Sequence, residues 1–325
     1  MNRRPLWQVA TGAMVGVALI VLLALAWYWS RMPDVFWVND RTPDGRQVVG
    51  YATADTLVRV AEALLDKPGG YLTNDITPPG VFLDNIPNWE LGVLQQVRDL
   101  ARVTRNDYSR SQSQSREDPD LALAEPKIFF DNNSWIFPPT ESEYRVAISG
   151  FARYRDRLAT GGGDEAQFFA RADNLREWLA QVEKRLGSLS RRLGDSVAAD
   201  VINTDLAGDA AAEASSTLPD RVSVRTSWFE LDDVFFEARG TAWALVHFFR
   251  AAQFDFALVL ADKNAEASVR QIIRELEASL APLRSPIIMN GGGYGLTANH
   301  SLVMANYLAR ANAAVINLRE LLDQG

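Results

Sequence analysis

From Thr140 to the end of the chain, apolar residues recur at alternating steps of four and three, and this spacing is the strongest constraint on the fold. The seam is clearest along Phe168, Ala172, Leu175, Leu179, Val182, Leu186, Leu189 and Leu193, which fill the a and d positions of nearly four heptads. Before it, Tyr144, Ile148, Phe151, Arg155 and Leu158 share the pattern behind a capping box of Thr140 and Glu143, and Gly161, Gly162 and Gly163 stop that helix. A second capping box, Ser227 with Glu230, opens Leu231, Phe235, Ala238, Ala242, Leu245, Phe249, Ala252, Phe256 and Val259, a predicted helix of roughly 32 residues and about 50 Å. Two more helices are predicted, one from Asp262 to Leu280 and one from Asn299 to Leu322. Helices with such seams bury them only against one another, so the expected class is all-α: an N-terminal transmembrane helix followed by an antiparallel bundle of long heptad-patterned helices. The same seams allow a homodimer, and no repeat of fixed period is present.

Ahead of the bundle the signal is mixed. A helix is predicted from Thr53 to Lys67, stopped by Pro68, Gly69 and Gly70, and another from Asn88, as its cap, to Tyr108. Between them, Gly69 to Pro87 is too rich in turn residues for a helix yet carries Tyr71, Leu72, Ile76, Val81, Phe82, Leu83 and Ile86. A loop this apolar is expected to pack down, and an ordered loop of this length to carry function. Tyr71, Leu72, Phe82 and Trp89 are therefore the candidate partner-binding residues. A polar linker is expected near residues 109–120, followed from Leu121 to Pro138 by a short helix and then an irregular packed stretch with Phe129, Phe130, Trp135, Ile136 and Phe137. The expected divisions are 1–31 as cytoplasmic tip and anchor, 32–50 as a Pro- and Gly-bearing stalk or strand, 51–138 as a helix-and-loop subdomain, and 139–325 as the long-helix bundle.

Leu6 to Trp29 is nearly continuously apolar, about 36 Å as a helix, enough to cross a hydrocarbon core of about 30 Å. A cleaved signal peptide would share the basic start at Arg3 and Arg4, but Trp27, Tyr28 and Trp29 stand where small residues would be needed, and aromatic rings there resemble an interfacial belt. Arg3 and Arg4 before the span favour an N-terminus in the cytoplasm, with the bulk of the chain then on the extracytoplasmic side of the membrane. Of 33 basic and 41 acidic residues, the chain beyond Arg4 keeps 31 and 41, a balance of −10. That sign excludes a protein held mainly on nucleic acid and opposes flat adsorption on anionic lipid. With no cysteine in 325 residues, thiol nucleophiles, thiolate metal sites and disulfides are excluded.

Chemistry is sparse. The two histidines, His247 and His300, have Ala244 and Thr297 three residues before them, so neither a di-metal Glu-x-x-His site nor a two-histidine zinc site is written; no metal or other cofactor is expected. Neither Gly-x-Ser-x-Gly nor Ser-x-x-Lys occurs. Glu230, Asp233 and Glu237 fall on one helix face, opposite the Leu231, Phe235 and Ala238 seam, where a solvated surface is the ordinary outcome. In the stretch SPIIMNGGGYGLTANH, Asn290, Gly291, Gly292, Gly293, Asn299 and His300 offer donors to an anion, against the ordinary outcome of a tight turn. His247, between Val246 and Phe248, reads as a hydrogen-bonded core histidine.

The stretches GGYLTNDITPPGVFLDNIPNWELGVLQQVRD, RADNLREWLAQVEKRLGSLSRRL, SWFELDDVFFEARGTAWALVHF and NGGGYGLTANHSLVMANYLARANAAVINLRELL resemble a family of proteobacterial single-pass membrane proteins catalogued as a domain of unknown function. The resemblance implies a Gram-negative inner-membrane anchor and an envelope-facing domain, and brings no catalytic residues. Three functions then stand as expectations. The first is an interaction or scaffold component of the envelope, bound to the bilayer through Leu6 to Trp29 and to an envelope protein or itself. The second is an envelope hydrolase using Glu230 and Asp233 with His300, and the third a small-anion or lipid-binding module at the glycine loop.

Overall fold

The computed structural model describes residues 6–110, 117–161, 166–197, 199–202, 221–224, 226–285, 287–291 and 296–324. Its helices are α1 (Leu6–Trp29), α2 (Tyr51–Asp66), α3 (Asn85–Val103), α4 (Pro119–Ile128), α5 (Thr140–Thr160), α6 (Ala172–Gly194), α7 (Leu231–Asp255), α8 (Ala257–Asp262), α9 (Glu266–Ser279) and α10 (His300–Asp323). The heptad seam of α6 is buried along its length: Leu175, Leu179, Val182, Leu186, Leu189 and Leu193 are each at most 2% exposed. Each such side chain is worth about 1.5–3 kcal/mol relative to leaving it in water. Residue pairs fix the helix directions. Arg319 with Glu183 and Ser190 with the Ala305 carbonyl run α6 against α10, Asp99 with Arg185 and the Asp107 carbonyl just beyond α3 with Asn174 run α3 against α6, and Asp66 with Arg145 and Asp55 with Arg155 run α2 against α5.

Helices α3 and α7 instead lie parallel, Asn88 meeting Asp233 near their starts and Tyr108 meeting Phe256 near their ends, with backbones in contact. A Cβ on Gly92 would fall 2.1 Å from the Glu237 carbonyl oxygen, and one on Gly240 would fall 2.0 Å from that of Trp89. These two glycines let the helices approach to backbone distance, and Trp89, Trp243 and the buried Thr241 fill the flanks.

Several local expectations are corrected. Neither capping box forms. Thr140 Oγ1 is taken by the Asp131 and Ser134 carbonyls of the preceding loop, at 2.8 and 2.9 Å, and Glu143 pairs with Lys127. Ser227 leads only into a short 3-10 turn and makes no side-chain cap. Helix α7 has 25 residues, not 32, because the backbone turns at Phe256 and drops that ring onto Tyr108 and Phe168. Its end is fixed by Asp255, whose carboxylate accepts from the Gly50 and Thr53 amides at 2.8 and 2.7 Å. Helix α9 starts four residues later than expected, beyond the left-handed Asn264. Asp84, not Asn88, caps α3. The short helix expected after the polar segment is α4, but the tip of the stretch that follows it is not packed: Trp135, Ile136 and Phe137 are exposed. After α6 two short strands, Ala199–Ile202 and Arg221–Val224, pair antiparallel.

The segment between α1 and α2 forms no strand and is fastened to the bundle. The Phe36 amide donates to His247 Nε2 at 3.0 Å, Trp243 Nε1 donates to the Asp34 carbonyl, Arg59 reaches the Trp37 carbonyl, and Asn39 reaches Asp55. Because Nε2 of His247 accepts, its proton sits on Nδ1 and donates to the Trp243 carbonyl at 2.7 Å. The imidazole, stacked on Phe36, is buried, and burial pushes its pKa down to about 3. A histidine held neutral in the fold stabilises above its ordinary pKa near 6.5, and that contribution fades as pH falls from there toward about 3. In a 15N-detected titration His247 is therefore expected to keep one neutral tautomer from pH 8 to pH 5; a midpoint near 6.5 would contradict this seat for the linker.

Candidate functional site

A cleft of about 420 Å³ opens where the first turns of α7 meet the start of α3 and the end of α6. Glu230, Asp233, Val234 and Glu237 line it from α7, Asn88 and Leu91 from α3, Arg192 and Asp195 from the end of α6, with Thr226 closing one side. The α3–α7 contact through Gly92 and Gly240 sets its depth, because it brings Asn88 within 2.6 Å of Asp233. Glu237 is not on a solvated face. It is buried and paired with Arg192 at 2.8 Å, so sequence reasoning that saw one helix missed the partner supplied by α6.

Asp233 is the unusual group. Burial, then the neighbouring carboxylates Asp232, Asp84, Glu230 and Glu237, push its pKa up to about 6. Its carboxyl thus exchanges a proton near neutral pH, beside an Asn88 amide that donates to it. Chemically, the cleft offers one proton-exchanging carboxyl, the acidic rim of Asp195 and Glu230, and a single guanidinium already engaged by Glu237. Among the described residues no group of three or more His, Asp or Glu side chains is arranged to hold a metal ion.

His300 is elsewhere. It borders a separate pocket of about 180 Å³ with Phe235, Arg239, Met304 and Tyr307, so the trio Glu230, Asp233 and His300 is not brought together. Its Nδ1 accepts from the Met289 amide at 2.9 Å, and its own amide donates to the Met289 carbonyl. In the glycine loop, Asn299 caps α10 by accepting from the Leu302 amide and donates to the Gly291 carbonyl at 2.6 Å. The Gly291 amide donates to Ala298, and Asn290 pairs with Asn299 as an antiparallel bridge. These backbone donors close the loop on itself instead of facing an anion. Gly292 and Gly293 lie outside the described residues.

Among the candidate contact residues, Tyr71, Leu72 and Trp89 are buried and Phe82 alone is exposed. The Leu72 and Thr73 amides donate to Glu90, a carboxylate inside the bundle that also pairs with the buried Lys67, and this anchors the start of the loop.

A comparison with known protein families matches residues 2–325 to the family described as "Uncharacterized protein conserved in bacteria (DUF2333)". No curated protein and no solved structure matches the chain.

Proposed function

The chain belongs to this bacterial family, and from that premise we propose that it is a membrane-anchored interaction component of the cell envelope, with α1 in the inner membrane, its N-terminus cytoplasmic and its bundle periplasmic. The observation that carries this is the junction between α1 and the bundle. No residue of Ala10–Trp29 is buried in the protein, whereas the chain directly after it is pinned to α2 and α7 by backbone hydrogen bonds. Arg31 lies 3.9 Å over the Trp27 ring, a cation and an aromatic group suited to the headgroup level. A domain fastened this closely to its anchor holds whatever it binds at a fixed height above the bilayer.

The partner surface best supported is the acidic cleft, and its chemistry calls for a basic segment of an envelope protein. In-cell crosslinking of the tagged chain, with adducts identified by mass spectrometry, is expected to return one stoichiometric partner. Reversing the cleft with Glu230→Lys and Asp233→Lys is expected to abolish that adduct while helical circular dichroism is retained. An unchanged adduct would remove the cleft from the account.

The raised pKa of Asp233 favours a second function, an envelope hydrolase with Asp233 as general acid. Asp233→Asn keeps the shape and the Asn88 contact but removes the proton. Loss of complementation of a deletion strain by this variant, with the crosslinked adduct intact, would select the hydrolase; full complementation would exclude it.

A further inference from the structure

The helix directions gather one set of ends around the point where α1 leaves the bundle. Trp29, the last residue of α1, packs over Gly69 just beyond the end of α2: a Cβ there would fall 2.7 Å from the indole Cγ. From Trp29 the chain descends along α2, past Arg59 and Asp55, to Gly50, which meets Asp255 at the end of α7. The C-terminal end of α2 and the N-terminal ends of α3, α5 and α7 therefore share the face nearest α1, and α8 lies at the opposite face, about 24 Å away along α2.

On the near face two loops are tied together. Tyr71 Oη donates to the Asn132 carbonyl at 3.0 Å, and Asn74 Nδ2 donates to the Ser134 carbonyl at 2.8 Å. Their tips carry Ile76, Val81 and Phe82 on one loop and Trp135, Ile136 and Phe137 on the other, all exposed; Phe82 is 77% and Phe137 90% in solvent. Six large apolar side chains on tips held by internal hydrogen bonds are unfavourable in water, and among the described residues none covers them.

We propose that these two loops are a second membrane-contact site, dipping their apolar tips into the same bilayer that α1 crosses. The inference rests on α1 being an anchor. The bilayer is the occupant because the patch shares the face from which α1 leaves, the one helix among the described residues long and apolar enough to span it, and because its aromatic and branched side chains suit the interface. The exposed Asp84 and Asp131 flank the tips and keep the insertion shallow, driven by apolar contact and not by anionic lipid. Two supports, one spanning and one resting, would fix the tilt of the bundle and hence the direction in which the acidic cleft faces.

The chain has no cysteine, so single cysteines can be labelled cleanly in the full-length protein. Phe82→Cys, Phe137→Cys, Leu19→Cys in α1 and Leu258→Cys in α8 each carry an environment-sensitive fluorophore in vesicles of phosphatidylethanolamine and phosphatidylglycerol containing a spin-labelled lipid quencher. All four parent side chains are exposed, so folding is undisturbed. The labels at Phe82 and Phe137 are expected to shift to the blue and to be quenched several-fold more than the label at Leu258, with Leu19 quenched most. Labels at Phe82 and Phe137 that match Leu258 while Leu19 is quenched would overturn the loop contact and leave the anchor standing. An unquenched Leu19 would overturn the anchor, and the loop contact with it. Tips that stay wet in vesicles but become protected in native membranes would assign the patch to a protein and overturn the lipid contact.

Discussion

Gly240→Leu is expected to be the most damaging single substitution in the bundle. The new side chain has no room, because even its Cβ would lie 2.0 Å from the Trp89 carbonyl oxygen, a backbone atom that cannot swing aside. Helix α3 must back away from α7, which opens the core around Trp89 and Trp243 and pulls Asn88 from Asp233. Overpacking of a close-packed core costs about 1–3 kcal/mol, and a clash against backbone belongs at or above the upper end. The control is Gly194→Ala at the end of α6, where nothing lies within 4 Å of the added methyl; it is expected to be neutral or slightly stabilising, through the unfolded chain. Thermal melts of the full chain in detergent check both. A Gly240→Leu protein that melts with the parent would mean the helices are not in backbone contact.

The second large effect is expected at Lys67. Its ammonium is fully buried against Glu90, and both sit beneath the Gly69 turn on which Trp29 packs. Lys67→Ala leaves Glu90 among the Leu72 and Thr73 donors without a counter-charge, and removing one partner of a buried pair costs about 3–5 kcal/mol. The double variant Lys67→Met with Glu90→Gln is expected to be milder than Lys67→Ala, since no uncompensated charge remains. The pH dependence follows from Glu90. Burial raises its carboxyl pKa while Lys67 pulls it back down, so the Lys67→Ala fold holds that proton more tightly than the parent fold does, and the cost of the lone carboxylate is present above the ordinary carboxylate range and disappears as pH falls. The Lys67→Ala deficit should therefore shrink between pH 7 and pH 4, read as the difference in melting temperature from the parent protein. A deficit independent of pH would mean that Lys67 does not change how tightly Glu90 holds its proton.

How far the sequence reaches can be seen residue by residue. The α6 seam is legible because burial against neighbouring helices repeats every three and a half residues, and the chain needs no knowledge of which neighbours they are. The same holds for the apolar character of α1. His247 is also legible as a core histidine, although the Phe36 amide that donates to it lies 211 residues away and is not. What escapes is whatever depends on a second element. Thr140 looked like a helix cap and was captured by carbonyls of the preceding loop. Glu237 looked solvated and met Arg192. Tyr71, Leu72 and Trp89 looked like contact residues because apolar residues in an irregular loop carry no signal of which will find the core. The cleft combines both cases: its acidic residues are local in sequence, but the burial that raises Asp233 comes from α3 and the end of α6.

The anchored placement of the bundle is the claim on which the cleft, its partner and the loop contact all depend. It is tested most directly by single-cysteine accessibility in cells with a permeabilised outer membrane, comparing Leu258→Cys in α8 with a cysteine at Asn2 before α1 under a membrane-impermeant maleimide. The account predicts that Leu258→Cys is modified at once and Asn2→Cys only after the inner membrane is lysed, with the protein remaining in the membrane fraction after alkaline carbonate. Modification of Asn2→Cys in unlysed cells, or release of the protein by carbonate, would contradict it.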